Sequence, residues 1–346
     1  MVNSGWVNDS IFRRNSQAAE ALLAAVIVRK DSMGRLVIWF RSGIAWASFY
    51  FLRICERLLP TSLLSLLLRP PAALIDLIHA PERKLPYCWR RFPSSWHPSR
   101  PRYFLRQSLG LYHAQLVYAW PDRLATSRWR KRCRIEGKAN LDRLRKEDRP
   151  VVLTSVHFGP FEILPYWLRA HGIPVTMIRG LPPAEYLQKL TSYQYSLSPP
   201  ANVPVFMLAK EITPLPRFAH VSDFLGPGDR LLVMADVERG PQFHVPFQDR
   251  NVRLATGAIR LAAMANAELI PCLIREIGAW KFVLHFFKPV PQSYLGRSPD
   301  LQAIGTHLLS EVSQVIAKHP EQCRPRLLSA MSPLDGNAEP DFSPLD

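Results

Sequence analysis

His157 and Glu162 stand five positions apart in the segment His157-Phe158-Gly159-Pro160-Phe161-Glu162. An imidazole with one nitrogen held by a carboxylate is fixed in a single tautomer, and its other nitrogen becomes a better base. The chemistry open to such a pair is removal of a proton from a hydroxyl. On a regular helix, residues five apart lie about 140° apart around the axis and would not share a face. Gly159 and Pro160 instead mark a sharp turn that can fold the histidine and the glutamate toward each other. No G-x-S-x-G, H-E-x-x-H or G-x4-G-K-S/T pattern accompanies them. Direct attack by an activated hydroxyl therefore suits these residues better than a covalent intermediate on the protein.

The elements around the pair must supply that turn. Val151–Val156 is a β-rich run that ends at His157. Phe161–His171 reads as a helix closed by Gly172 and Pro174, with Pro165 tolerable only in its first turn. Val175–Ile178 predicts a second strand ending at Arg179. Asp229–Ala235, entered through Gly226-Pro227-Gly228, predicts a third ending at Asp236. Thr256–Ala267 has an Ala-rich helical pattern, and Leu269–Arg275 with Lys281–Pro289 predicts a hairpin. Leu301, Ile304, Leu308, Leu309, Val312, Val315 and Ile316 recur at the spacing of an amphipathic helix. Strands alternating with helices predict an α/β fold with a central, mostly parallel sheet flanked by helices. In such sheets ligand chemistry collects at the carboxyl ends of strands, which is where His157, Arg179 and Asp236 all fall.

The 346 residues carry 44 Lys and Arg against 28 Asp and Glu. The whole excess of +16 lies in residues 1–150, which hold 27 basic and 11 acidic side chains, while residues 151–346 hold 17 of each. With 47% hydrophobic residues the chain can build a sizeable core, which excludes global disorder. A basic half calls for an anionic partner: nucleic acid, an acidic membrane face, an acidic carrier protein or a phosphorylated substrate. Ala18–Val28 is interrupted by Glu20 and has no clear cleavage site, so secretion is not expected. Leu36–Leu52 and Leu58–Leu68 are apolar but shorter than the roughly 20 residues of a spanning helix. Trp39, Trp46, Phe49, Tyr50 and Phe51, flanked by Arg41, Arg53 and Arg57, suit an N-terminal helical region lying in the interface of an anionic membrane. A buried helical hairpin is the alternative. Pro81–Arg134 interleaves Arg with aromatic residues, a composition that also suits single-stranded nucleic acid, but no helix-turn-helix, zinc-finger or RNP pattern supports it. Cys55, Cys88, Cys133, Cys272 and Cys323 form no C-x-x-C and no metal-ligand spacing. Neither a disulfide framework nor a metal site is expected, and a reducing compartment fits.

From about Cys133 to Pro291 the chain resembles the bacterial late acyltransferases of lipid A biosynthesis, within the wider glycerolipid acyltransferase superfamily. The blocks that carry the resemblance are RIEGKANLDRL, VVLTSVHFGPFE, PVTMIR, GDRLLVMAD, VPF (Val245–Phe247) and TGAIRLAAMANAELIP (Thr256–Pro271). Pro160, Phe161 and Val237 depart from the family pattern, which often has Asn, Trp and Gln there.

The resemblance implies transfer of a fatty acyl group from an acyl carrier protein or coenzyme A thioester to a lipid hydroxyl, with no cofactor beyond that co-substrate. His157 would take the hydroxyl proton and Glu162 would orient it. Backbone N–H groups around Gly159, or the Arg179 guanidinium, would meet the tetrahedral oxyanion. Arg179 is equally suited to clamp a phosphate or to form a structural ion pair, and Asp236 to hold the acceptor or cap the following turn. Arg260, in the Ala-rich helix, is read as bracing the fold. The acceptor is a lipid A precursor, a lysophospholipid or another glycolipid, and the implied location is the cytoplasmic face of the bacterial inner membrane. A catalytically silent lipid- or carrier-binding relative is the alternative, with a nucleic-acid binder behind it. The expected organisation is a membrane-associating helical region over residues 1–80, a basic segment over 81–132, the α/β core over 133–328 and a flexible tail over 329–346.

Overall fold

The computed structural model describes residues 43, 46, 47, 50–55, 57–78, 85–107, 124, 126–140, 142, 149–180, 205–208, 225–238, 240–278 and 280–334. Ala18–Val28, most of Leu36–Leu52 and residues 335–346 of the expected tail lie outside them. Phe49–Asp346 forms one compact unit, and the architecture is that of this unit.

Helices α1 (Thr61–Ile78), α2 (Leu85–Arg90), α3 (Arg100–Gln107) and α4 (Ser127–Arg130) precede strand β1 (Cys133–Glu136). There follow β2 (Val151–Ser155), α5 (Leu164–Ala170), β3 (Thr176–Gly180), β4 (Val205–Leu208), β5 (Arg230–Met234), β6 (Gln242–Phe247), β7 (Arg250–Ala255), α6 (Gly257–Met264), β8 (Glu268–Gly278) and β9 (Lys281–Phe286). Helices α7 (Leu301–Ile316) and α8 (Pro325–Ser329) and strand β10 (Met331–Pro333) close the described chain.

Seven strands form one sheet in the order β1-β9-β8-β2-β5-β3-β4. Every neighbouring pair is parallel except β8 with β9. A parallel sheet is covered on both faces, and its central strands are accordingly apolar throughout rather than alternating. Strand β2 is buried at all five positions. Val152, Leu231, Val233 and Leu269 face a core completed by α6 and α7, whereas Val151, Leu153, Leu232 and Ile270 face one completed by Trp167 of α5 and Leu64 of α1. Fully burying such side chains is worth roughly 1.5–3 kcal/mol each, so the middle of this sheet is a rigid platform.

The predicted helix from Phe161 begins as a 3-10 turn, Phe161–Ile163, before α5. Pro165 sits in the first turn of α5, where its missing N–H costs nothing. The predicted hairpin is β8 and β9, and the periodic helix is α7 over Leu301–Ile316. The sequence reading did not anticipate the second sheet, β10-β7-β6. Its strand β10 takes up the start of the expected tail: Met331, Ser332 and Pro333 pair with Val252, Asn251 and Arg250. The Val-Pro-Phe block lies in β6, where Val245 is buried against Gly305 of α7 and Phe247 lies 5.5 Å from Trp96. Its role is packing.

The basic segment is built into the same unit. Phe92, Trp96, Tyr103 and Trp129 are fully buried, and Arg91 Nη1 donates to the carbonyls of Ser329 (2.8 Å) and Met331 (3.3 Å). These aromatic rings belong to the core and are not presented for stacking on bases.

Candidate active site

Strands β2 and β5 run parallel in the register Ser155↔Met234. His157 and Asp236 each lie two residues past those partners, so the register brings both to the same carboxyl edge. Asp236 Oδ2 accepts the His157 backbone N–H at 2.8 Å, and Oδ1 lies 2.7 Å from His157 Nδ1. A carboxylate only accepts, so the imidazole proton sits on Nδ1 and the lone pair on Nε2. The Asp236 side chain is fully buried, and that of His157 is 12% exposed. The Phe161 ring packs edge-on against the imidazole, centroids 4.4 Å apart.

The carboxylate at Nδ1 is therefore Asp236, where the sequence pointed to Glu162. The turn explains the exchange. Gly159 adopts φ +55°, and a Cβ there would meet the Ile274 carbonyl oxygen at 2.3 Å. With Pro160 following, the chain passes tightly over β8 and carries Glu162 toward the C-terminal segment. There Glu162 Oε1 lies 3.9 Å from Arg324 Nη2, and its Oε2 is buried without a hydrogen-bond partner.

Gly159 is also not an oxyanion donor, because its N–H already donates to the Gln322 carbonyl at 2.8 Å. The Phe158 N–H is taken by the Val156 carbonyl at 2.7 Å, and Pro160 has none. Gly159 serves the shape of the turn. Arg179 lies on β3, paired in register with Met207 of β4. The adjoining pair Met177↔Leu232 carries it toward the carboxyl edge of β5, and its side chain lies outside the described residues. Arg260 is exposed on α6.

Arg324 and Gln322, absent from the sequence reading, border this turn. Their only signal in the sequence is a run of polar residues after α7, too ordinary to single out. Farther along the edge, Arg275 of β8 donates from Nε to His285 Nε2 (3.0 Å) and lies 3.2 Å from His319 Nε2 through Nη1. His285 Nδ1 lies 3.1 Å from Glu136 Oε2. Burial pushes His285 down to about 4; Glu136 opposes the shift, while Arg275, His319 and Arg134 reinforce it.

Thiolate chemistry is suppressed around the site. Burial pushes the Cys133 and Cys272 thiols up to about 12. Burial, then the charges of Glu321 and Asp236, raise Cys323 well above the ordinary range. A thiol is a nucleophile only as its thiolate, so the pieces assembled at the edge are an oriented imidazole and no sulfur nucleophile. Among the described residues no group of His, Cys, Asp and Glu is arranged to hold a metal ion.

The chain is similar in structure to the 1-acyl-sn-glycerophosphate (LPA) acyltransferase PlsC from Thermotoga maritima, at a TM-score of 0.36 and 14% identity over 82% of this chain and 98% of that one. No curated protein matches it in sequence. The family model for bacterial lipid A biosynthesis acyltransferases matches residues 39–323, a span that contains the His157–Glu162 turn, Arg179 and Asp236. The chain belongs to that family and is an acyltransferase of lipid substrates.

Proposed function

We propose that the protein transfers a fatty acyl group from the thioester of an acyl carrier protein or coenzyme A to a hydroxyl of a lipid acceptor, with His157 as the general base. The observation that carries this reading is the double hydrogen bond from Asp236 to the His157 ring and backbone. It leaves Nε2 as the one basic ring nitrogen, on an imidazole that remains partly accessible. Nε2 takes the acceptor hydroxyl's proton as the oxygen attacks the thioester carbonyl. The tetrahedral oxyanion then collapses, the carbon–sulfur bond breaks, and the leaving thiolate recovers the proton from the imidazolium. An ester and a free thiol result. Asp236 stabilises the imidazolium between these steps. Arg179 and the backbone N–H groups of Phe161 and Glu162, at the start of the 3-10 turn, are the candidate donors for the oxyanion.

The proposed place of the reaction is a membrane surface on the cytoplasmic side. Helix α1 supports this. Leu64 and Leu68 face the core, yet Leu63, Leu66, Leu67 and Leu74 are 41–68% exposed. Leu58, at 75%, and Tyr50, Phe51 and Ile54 add to the exposed apolar surface. A helix in water presents a polar outer face, so a contiguous apolar one fits the acyl boundary of a bilayer. No helix among the described residues is long and apolar enough to cross a membrane.

The test is an assay of the full chain in vesicles containing total bacterial lipid, with labelled acyl-carrier-protein and acyl-coenzyme A thioesters supplied in turn. One donor yields an acylated lipid that mass spectrometry identifies, and His157→Ala abolishes it while expression and vesicle binding persist. Full activity in that variant would sink the mechanism.

A further inference from the structure

Residues 322–324 lead out of the 3-10 turn Pro320–Gln322 and run antiparallel to the catalytic turn. Phe158 and Cys323 form a β-bridge, the Gly159 N–H donates to the Gln322 carbonyl at 2.8 Å, and the Arg324 N–H donates to the His157 carbonyl at 3.0 Å. The Arg324 side chain adds a second tie: Nε donates to the Gly159 carbonyl at 3.1 Å, and Nη2 stands 3.9 Å from Glu162 Oε1. That side chain is only 11% exposed. One residue thus holds carbonyls on both sides of Phe158 and faces the carboxylate five positions after the histidine.

The strap has its own anchor. Gln322 Oε1 accepts the Glu276 N–H and its Nε2 donates to the Glu276 carbonyl, both at 3.0 Å. Gln322 thus ties the segment to β8 through contacts separate from those of the Arg324 side chain. The family match ends at residue 323, one position short of it.

We infer that Arg324 is a positioning residue for the acyl transfer proposed above, on which this inference rests. It touches no reacting atom. It fixes the backbone on which the His157 ring is mounted and holds Glu162 beside the turn, leaving Nδ1 to Asp236. A group displaced by about 1 Å can cost on the order of 10²-fold in rate, and loss of this side chain frees both the Gly159 carbonyl and the Glu162 carboxylate.

The experiment compares Arg324→Ala, Arg324→Lys and His157→Ala in the vesicle assay, with thermal unfolding of each. Arg324→Ala is expected to lower kcat on the order of 10²-fold at unchanged KM for the thioester, and millimolar guanidinium, but not sodium at equal ionic strength, restores part of it. Arg324→Lys has one ammonium for two acceptors and loses less. Should Arg324→Ala fail to fold, the lysine variant carries the same test of kcat against KM. Wild-type kcat in either variant, or a loss that guanidinium does not relieve, overturns the positioning role. Activity that survives His157→Ala overturns instead the reading beneath it, so the two failures are distinct.

Discussion

Asp236 grips His157 at two points, the ring Nδ1 at 2.7 Å and the backbone N–H at 2.8 Å, across 79 positions of sequence. The carboxylate thereby sets both the tautomer and the ring's mounting. Asp236→Asn is expected to lower kcat on the order of 10²-fold or more, since general-base help is worth about 10²–10⁴. Glu162→Gln, whose carboxylate faces Arg324, is expected to lose less. Initial rates of acyl transfer decide the order, and the reverse order would return the orienting role to Glu162.

Gly159→Ala places a Cβ 2.3 Å from a backbone oxygen of β8 at a residue with positive φ. Neither the Ile274 carbonyl nor the Arg275 Cα beside it can give way, because both are backbone of the paired strand β8. The substitution is expected to destabilise the fold by about 1–3 kcal/mol and to remove most activity by shifting His157. Urea unfolding with parallel rate measurements checks both.

The exposed leucines predict a separation of binding from folding. Replacing Leu58, Leu66, Leu67 and Leu74 together by Ser should move unfolding stability little, since surface changes usually stay within about 0.5 kcal/mol each. Partition onto anionic vesicles should fall steeply, because each leucine removed forfeits apolar burial of roughly 1.5–3 kcal/mol. Vesicle co-sedimentation reads the result, and unchanged partition would exclude this face.

His285 predicts a pH dependence. Its folded-state value, about 4, lies below the ordinary 6.5. Between these limits the unfolded chain binds a proton that the folded chain refuses, so stability falls as pH drops from 6.5 toward 4 and is unaffected by this group above that window. The loss is on the order of 2–3 kcal/mol. Urea midpoints across the window should slope in the wild type and flatten in His285→Gln.

Much of this architecture is written locally. The run Val151–Val156, the break at Gly159-Pro160 and the spacing from Leu301 to Ile316 each specify an element, because burial repeats with the period of the backbone that carries it. The placement of His157 and Asp236 at strand ends is local in the same sense. Strands β6, β7 and β10 were less legible: β10 has only 3 residues, β6 contains a proline, and their partners are each other rather than the main sheet. The exposure of the α1 leucines was not readable either, since sequence periodicity ranks residues by type and not by what medium they meet.

The sequence by itself singled out His157 as the candidate base and determined the α/β class and the absence of a familiar nucleophile motif, all of which depend on residue type and near neighbours. Only the tertiary structure decided which carboxylate serves the imidazole. Glu162 is five positions away and Asp236 is 79, yet the parallel register of β2 with β5 brings the distant residue to Nδ1, while the tight passage over β8 turns the near one toward Arg324, itself 165 positions beyond Gly159. Chain proximity sets what can meet, and strand pairing with backbone clearance sets what does.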